Sequence, residues 1–190
     1  MSVFQTKYQH YFPNGLFMNF LENHDEPRAV TIFGKEHVQP FASFIFTLPG
    51  IPLLLMGQEF ADTSYNSWRS LFEKEPIDWA HFDTSLYRMY KKLVELRHWF
   101  PFNDARFDVL MVNNQEKLLM YSLHHKNKSV VVTLNLSAEE QQVEFAGFAE
   151  KVPYLKGKYQ DWFKGGPLTL DKGRFIHMKP YNATILVKEN

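Results

Sequence analysis

Two short apolar runs with a helical pattern between them constrain the fold most strongly. The runs are LFMNFL (residues 16–21) and IPLLLM (residues 51–56), and both are almost continuously apolar. Such runs are typical of strands that are buried on both faces of a parallel sheet. Apolar residues recur between them at helical spacing, and Pro49-Gly50 ends the predicted helix. Strand, helix and strand with short connections predict a βαβ unit.

A second amphipathic helix is predicted over residues 86–100, and the sequence changes character after it. Asp83 or Thr84 is the predicted N-cap of this helix. Beyond it, short strand-like runs alternate with turn residues. These runs cover residues 117–123, 129–136, 141–145, 174–178 and 183–187. We therefore predict an α/β part over residues 1–104 and a separate antiparallel β-sandwich over residues 105–190.

Composition excludes several function classes. The formal net charge is +0 with neutral histidines, so the chain has no basic footprint for nucleic acid. The chain has no cysteine, which excludes disulfides and thiolate metal sites. No apolar run reaches the about 18 residues of a membrane-spanning helix. His124 and His125 are adjacent in a predicted strand and point to opposite faces, so we predict neither a metal site nor a cofactor.

A polar cluster, ENHDEPR (residues 22–28), follows the first apolar run. Chemical groups of parallel α/β folds lie at the carboxyl ends of strands, which is the position of this cluster. Alternation along a strand would point Asn23 and Asp25 one way and His24 the other, unless the strand curls at its end. The alternative interpretation is a solvated loop that caps the next helix.

The order of several motifs resembles the α-amylase family of glycoside hydrolases. The motifs are Asn23-His24-Asp25 after the first run, GIPLLLMGQE (residues 50–59), PIDWAHFD (residues 76–83) and LVELRH (residues 93–98). In that family Asn-His-Asp follows the seventh strand of a (β/α)₈ barrel, and Gly-x-Glu ends the eighth. The resemblance thus implies the last two strand–helix units of a barrel, followed by the C-terminal β-domain.

The resemblance also implies residue roles. Asp25 matches the carboxylate that stabilises the transition state, and His24 matches the histidine that hydrogen-bonds hydroxyls of the cleaved sugar ring. Asn23 is a further candidate for substrate binding. Its alternative role is that of a buried hydrogen-bonding brace. Tyr65 and Trp68 are candidates for stacking on sugar rings, with loop packing as the alternative. Arg28 is expected to pair with Glu22 or Glu26 and has no catalytic role.

The family's nucleophilic Asp and acid/base Glu precede the Asn-His-Asp motif. Only 22 residues precede Asn23 here, and a complete barrel takes about 250 residues. We therefore expect this chain alone to be inactive, to have an α-glucan as its partner, and to bury its exposed barrel strands by forming a homo-oligomer. The alternatives are a non-catalytic carbohydrate-binding or accessory protein and a purely structural module. The sequence does not determine which α-glucan linkage is favoured, whether the reaction is hydrolysis or transfer, or in which compartment the protein is located.

Overall fold

The computed structural model describes residues 15–64, 74, 76–145, 147–148, 152–169 and 175–189. The helices are α1 (Ala29–Phe33), α2 (Val38–Thr47) and α3 (Thr84–Trp99). The strands are β1 (Met18–Asn19), β2 (Ile51–Pro52), β3 (Arg106–Asn113), β4 (Leu118–His125), β5 (Lys128–Asn135), β6 (Gln141–Glu144), β7 (Lys158–Asp161), β8 (Pro167–Thr169), β9 (Phe175–Met178) and β10 (Asn182–Glu189). Single 3₁₀ turns cover Lys35–His37, Gln58–Phe60, Trp79–His81, Phe102–Asp104 and Pro153–Leu155.

Strands β1 and β2 pair in parallel, as the βαβ pattern predicts, but each has only two residues. The prediction that both runs are buried on both faces is wrong. Four of their apolar side chains are more than half exposed, namely Leu16, Met18, Ile51 and Met56. Burial needs a layer on each face, and among the described residues β1 and β2 form a sheet of two strands, with α2 packed against β2.

The connection from α2 to β2 passes very close to β1. Gly50 has a φ of +111°, and a side chain there would place its Cβ 2.4 Å from the backbone oxygen of Phe17. A glycine is required for both reasons. Asn19 Nδ2 donates to the Pro49 carbonyl at 2.9 Å, and Arg97 Nη2 from α3 donates to the Gly50 carbonyl at 2.6 Å. The predicted Pro-Gly stop signal is therefore also the point where β1, β2 and α3 are joined.

The structure confirms the two predicted helices and adds a third. Helix α3 begins after Asp83, whose carboxylate accepts hydrogen bonds from the backbone N–H groups of Ser85 and Leu86. Asp83, rather than Thr84, is thus the N-cap. The five-residue helix α1 directly follows the polar cluster and was not predicted.

The C-terminal part is a mostly antiparallel sheet structure. The strand order of the large sheet is β3-β4-β5-β10-β7-β8, and β6 pairs with β9 in a small sheet. All five strands predicted for this part are present, with bounds that agree within two residues. The prediction missed β3, β7 and β8.

Both faces of the large sheet are buried. On one face Val132 and Ile185 share a hydrophobic core with Leu93 of α3, and Thr47 of α2 forms a hydroxyl–hydroxyl hydrogen bond of 2.5 Å with Tyr121. On the other face the large sheet packs against the small one through a second core, which includes Met120, Val131, Leu186, Val143 and Ile176. The first core crosses residue 104, while the proposed domain division there stays a prediction.

Candidate functional site

The polar cluster forms a loop between β1 and α1, and its tip faces solvent. The side chains of His24 and Asp25 are 81% and 62% exposed, and His24 Nε2 lies 3.3 Å from Asp25 Oδ2. Both residues are in a turn rather than in a strand. The prediction that His24 and Asp25 point in opposite directions is therefore wrong. The two side chains therefore lie side by side on the exposed tip of the loop.

Asn23 holds this turn from inside. Its Oδ1 accepts a hydrogen bond of 2.8 Å from the backbone N–H of Asp25, and its backbone oxygen accepts one of 3.4 Å from the N–H of Glu26. The predicted brace role therefore matches its hydrogen bonds. The predicted burial is wrong, because Asn23 is half-buried at the loop surface.

Both ends of the loop are fixed by the buried guanidinium of Arg28. Its Nη1 donates to Glu22 Oε1 at 2.7 Å and to the Met56 carbonyl at 3.0 Å, and its Nη2 donates to Asp62 Oδ2 at 2.9 Å. The other oxygen of Glu22 accepts from the backbone N–H of Ala29 at 2.6 Å. Glu22 was one of the two predicted partners of Arg28, and this choice is confirmed.

Asp62 is the partner that sequence reasoning missed. It lies 34 residues after Arg28, in the loop that follows β2, and no sequence period connects the two positions. Gly57 has a φ of +96°, and a Cβ there would lie 2.9 Å from Asp62 Cβ and 3.2 Å from Arg28 Nη2. The glycine of the Gly-x-Glu motif therefore makes room for the ion pair.

The electrostatics of this buried group are unusual, because one cation serves two carboxylates. Burial raises the pKa of Glu22 above its ordinary value, although the hydrogen bond from Arg28 acts in the opposite direction. Each charge here is stable only while its partner is present. The cluster Glu22–Arg28–Asp62, which we call the anchor, thus couples the two loops that follow β1 and β2.

The loop after β2 contains the other candidates. Glu59 Oε2 accepts a hydrogen bond from the backbone N–H of Gly57 at 3.0 Å, so this carboxylate of the Gly-x-Glu motif has a structural hydrogen bond. Tyr65 and Trp68 lie outside the described residues, and their predicted sugar contacts stay predictions. The exposed Trp79 packs on Phe60 with a centroid distance of 5.0 Å.

The described residues contain no group of three or more His, Cys, Asp or Glu side chains that could hold a metal ion. His124 instead stacks on Tyr154, with its Nδ1 3.0 Å from Ser129 Oγ. Across the described part of the chain, every helix is too short or too polar to cross a bilayer.

No family model matches the chain. The α-amylase MalA of Haloarcula japonica is 28% identical over 160 residues, which are 81% of this chain and 23% of that protein. The resemblance to the α-amylase family is confirmed. The match is consistent with a C-terminal portion of such a protein.

Solved structures of α-amylases share the fold. A maltogenic α-amylase of Thermotoga neapolitana superimposes with a TM-score of 0.77 at 21% identity, over 98% of this chain and 44% of that one. An Anoxybacillus α-amylase gives 0.75 at 21% identity, over 94% and 39%. An α-amylase of Geobacillus thermoleovorans, solved in complex with acarbose, gives 0.75 at 20% identity, over 92% and 39%. The chain thus spans about a quarter of its curated α-amylase relative and less than half of these solved chains.

Proposed function

We propose that this chain is the C-terminal portion of an α-amylase-family glycosidase or transglycosidase that acts on α-glucans by a retaining mechanism. It would supply the last two strand–helix units of a (β/α)₈ barrel over residues 1–104 and a β-sandwich over residues 105–190. Asp25 would stabilise the transition state, and His24 would bind hydroxyls of the same sugar ring. The nucleophile and the acid/base would come from a preceding part of the polypeptide, so the 190-residue chain alone would be inactive.

The observation that carries this proposal is the geometry of the loop that follows β1. A carboxylate and an imidazole lie 3.3 Å apart on the exposed tip, while the anchor holds the base of the loop in the protein interior. A tip that is fixed in this way loses little freedom when a ligand binds. The loop also follows a parallel strand, at the end where such folds place their chemical groups.

The chemistry of glycoside cleavage explains why these groups are useful. The transition state resembles an oxocarbenium ion, and hydrogen bonds to ring hydroxyls strengthen as it forms. Asp25 accepts hydrogen bonds, and the imidazole of His24 has one nitrogen that donates when the ring is neutral. A fixed pair of this kind would bind the distorted ring more tightly than the relaxed one, which is how binding energy lowers a barrier.

An α-glucan partner is supported by the relatives, among them the Geobacillus α-amylase in complex with acarbose. We also propose that the chain forms a homo-oligomer. The contact would be made by exposed apolar side chains in and around β1 and β2. The exposed residues Leu16, Met18, Ile51 and Met56 are its physical basis, because a patch of this kind favours association.

Two assays on the purified chain test the proposal. Calorimetry with maltoheptaose should detect binding that His24→Ala abolishes, while His98→Ala, which changes an exposed histidine of α3, leaves it unchanged. No glucose or shorter maltooligosaccharide should be released from maltoheptaose. Release of sugar would contradict the predicted inactivity, and the absence of binding would contradict the role of His24.

The gene provides the remaining test. An upstream reading frame that encodes further strands, with an Asp and a Glu in the positions of a nucleophile and an acid/base, would support the enzyme. An untranslated upstream region together with His24-dependent binding would favour the alternative, a non-catalytic carbohydrate-binding or accessory protein.

A further inference from the structure

A second concave site lies on the large sheet, far along the sequence from the loop of residues 22–28. It is a groove of about 500 Å³ between the end of α3 and strands β7, β8 and β10. Its walls include Trp99 and Trp162, and Gln160, Val187 and Glu189 contribute to its floor. We call it the tryptophan groove. Its volume lies within the range of about 300–1,000 Å³ that small-molecule sites occupy.

The strand register explains why these side chains share one face. Val187 of β10 is directly opposite Gln160 of β7, and Gln160 is opposite Pro167 of β8. Residues that are directly opposite in an antiparallel pair point to the same side. Glu189, two residues after Val187, points the same way and lies opposite Lys128. The groove is therefore the end of the sheet face whose middle is covered by the helices.

The tryptophan walls are held in place before any ligand binds. Trp162 Nε1 donates to the Lys92 carbonyl of α3 at 2.8 Å, and its backbone N–H donates to the Ile185 carbonyl at 2.8 Å. The Trp99 and Trp162 ring centroids are 5.8 Å apart at an angle of 34°, so the rings form one bent wall. Two fixed aromatic rings offer apolar area at a small entropic cost.

The turn after Trp162 is also preorganised. Asp161 Oδ1 accepts hydrogen bonds of 2.9 Å from the backbone N–H groups of both Phe163 and Lys164. Gly165 and Gly166 follow with φ values of +74° and +84°. No heavy atom lies within 4 Å of a Cβ built at either glycine, so this side of the groove is open.

The polar groups of the groove suit a neutral ligand. Lys128 lies 3.6 Å from Glu189 and over the Trp99 ring, and Lys188 Nζ donates to two backbone carbonyls. Lys128 and Lys188 are thus already engaged, which leaves the exposed Lys158 as a single further cation among the described residues that line the groove, rather than a cluster that would bind an anion. Gln160 remains as an exposed side chain that both donates and accepts. The aromatic wall of Trp99 and Trp162, beside the neutral side chain of Gln160, matches a sugar ring, which has an apolar face and a rim of hydroxyls.

We propose that the tryptophan groove binds a short neutral oligosaccharide at a site that shares no residue with the loop of residues 22–28. The choice of α-linked glucose units rests on the proposed function, whereas the groove itself does not. The site would retain a glucan chain on the protein without reacting with it.

Two-dimensional NMR of the 190-residue chain with maltotetraose tests the groove. The indole N–H signals of Trp99 and Trp162 should shift on titration to roughly 20 mM, which is well above a millimolar dissociation constant. Gln160→Ala should raise that constant about fivefold through the loss of one hydrogen bond. Gln142→Ala, which changes an exposed glutamine of the small sheet, should leave it unchanged.

Other outcomes of this experiment would contradict the proposal or assign a different ligand. Unshifted Trp99 and Trp162 signals would overturn the proposal, and so would equal effects of the two glutamine variants. Shifts with inorganic phosphate but not with maltotetraose would identify an anion site instead. Trp162→Phe keeps an aromatic ring but removes the Nε1–H donor, and if it folds it should still bind maltotetraose with reduced affinity.

The proposals for the two sites can be tested independently. In His24→Ala the tryptophan groove should bind maltotetraose as before, even where the loop no longer binds. Loss of the indole shifts in this variant would contradict an independent site. Indole shifts in a chain whose His24 signals do not respond would support the groove and contradict the proposed role of the loop.

Discussion

The two halves of the molecule are held together by different interactions. In the sheet half, strands β3, β4, β5 and β10 have eight residues each, and the large sheet is buried on both faces. In the helix–loop half, β1 and β2 have two residues each and leave apolar side chains exposed. There the loops are fixed by polar side chains, above all by the anchor. Backbone ladders and apolar area stabilise the sheet half. In the helix–loop half, α2 and α3 share the apolar core with the sheet, whereas the loops after β1 and β2 are fixed by buried charges.

This difference explains where chemistry can be placed. Side chains within a ladder are committed to packing, and a change of one of them affects the fold. A loop that is anchored at its base can present its tip to solvent, as His24 and Asp25 are presented. Four substitutions sharpen or break the contrast, beginning with the largest expected effect.

Arg28→Met should destabilise the chain by about 3–5 kcal/mol, because it leaves the carboxylates of Glu22 and Asp62 buried without their cation. The matched control is Arg106→Met in the sheet half, where the exposed pair with Asp108 should be worth at most about 1 kcal/mol. Urea unfolding measures the free energy of unfolding of both variants. Hydrogen exchange of the Ala29 amide reports directly on the loop. Equal effects of the two variants would contradict the contrast.

The pH dependence of Arg28→Met has a definite sign. The pKa of Glu22 is already raised by burial, and removal of the guanidinium takes away contributions that lower it. A carboxyl whose pKa is raised in the folded state favours folding while it is protonated. The variant should therefore be least destabilised below the ordinary pKa of about 4.5 and lose stability as the pH rises through the folded value. A flat difference between pH 4 and 7 would exclude an ionised Glu22 as the cause.

Ile185→Ala should cost about 2–5 kcal/mol, because this fully buried side chain of β10 lies in the core between sheet and helices. Val112→Ala in β3 is the control, since Val112 is more than half exposed and its change should stay within about 0.5 kcal/mol. Thermal or urea unfolding distinguishes them. A small effect of Ile185→Ala would show that the sheet half is less tightly packed than described.

Asp83→Ala should cost about 1 kcal/mol through the loss of the α3 cap. The hydrogen bond from Lys35, more than those from Ser85 and Leu86, lowers the pKa of Asp83 below its ordinary 3.8. The stabilisation that Asp83 provides is therefore complete above pH 3.8. It disappears as the pH falls through the lower pKa that Asp83 has in the folded state. Wild type and variant should converge in acid. Ser85→Ala serves as the control, because it leaves the Asp83 carboxylate and its two backbone contacts in place.

Met18→Ser should change the free energy of unfolding of the monomer by no more than about 0.5 kcal/mol, since Met18 is 57% exposed. If the patch around β1 and β2 mediates self-association, sedimentation should show a weaker dimer in this variant than in Val112→Ser. Equal sedimentation of the two variants would contradict the proposed oligomer.

Hydrophobic periodicity was sufficient to predict the order β1–α2–β2, helix α3 and five strands of the sheet half, because each run repeats its own period. It failed for β7 and β8, which have four and three residues and no apolar alternation of useful length. Strand β3 lies at the sheet edge and contains an irregularity between Val109 and Met111 that shifts its register. Short or irregular strands of this kind are defined by their neighbours rather than by their own sequence.

The candidate site shows the same limit. The motif order led to His24 and Asp25, and local charge led to the Glu22–Arg28 pair. Asp62 could not be found, because its distance from Arg28 depends on how two loops meet in space. The exposure of β1 was also not predictable, since an apolar run does not reveal whether its covering layers are present.

The most direct test of the central claim is NMR of the His24 ring during titration of the chain with maltoheptaose. We expect the His24 ring signals to shift in the wild-type chain. Arg28→Lys, which keeps a charge but cannot reach both carboxylates and the Met56 carbonyl, should weaken this response. A His24 ring that does not respond to maltoheptaose, or a response that is unchanged in Arg28→Lys, would contradict an anchored loop that binds α-glucan.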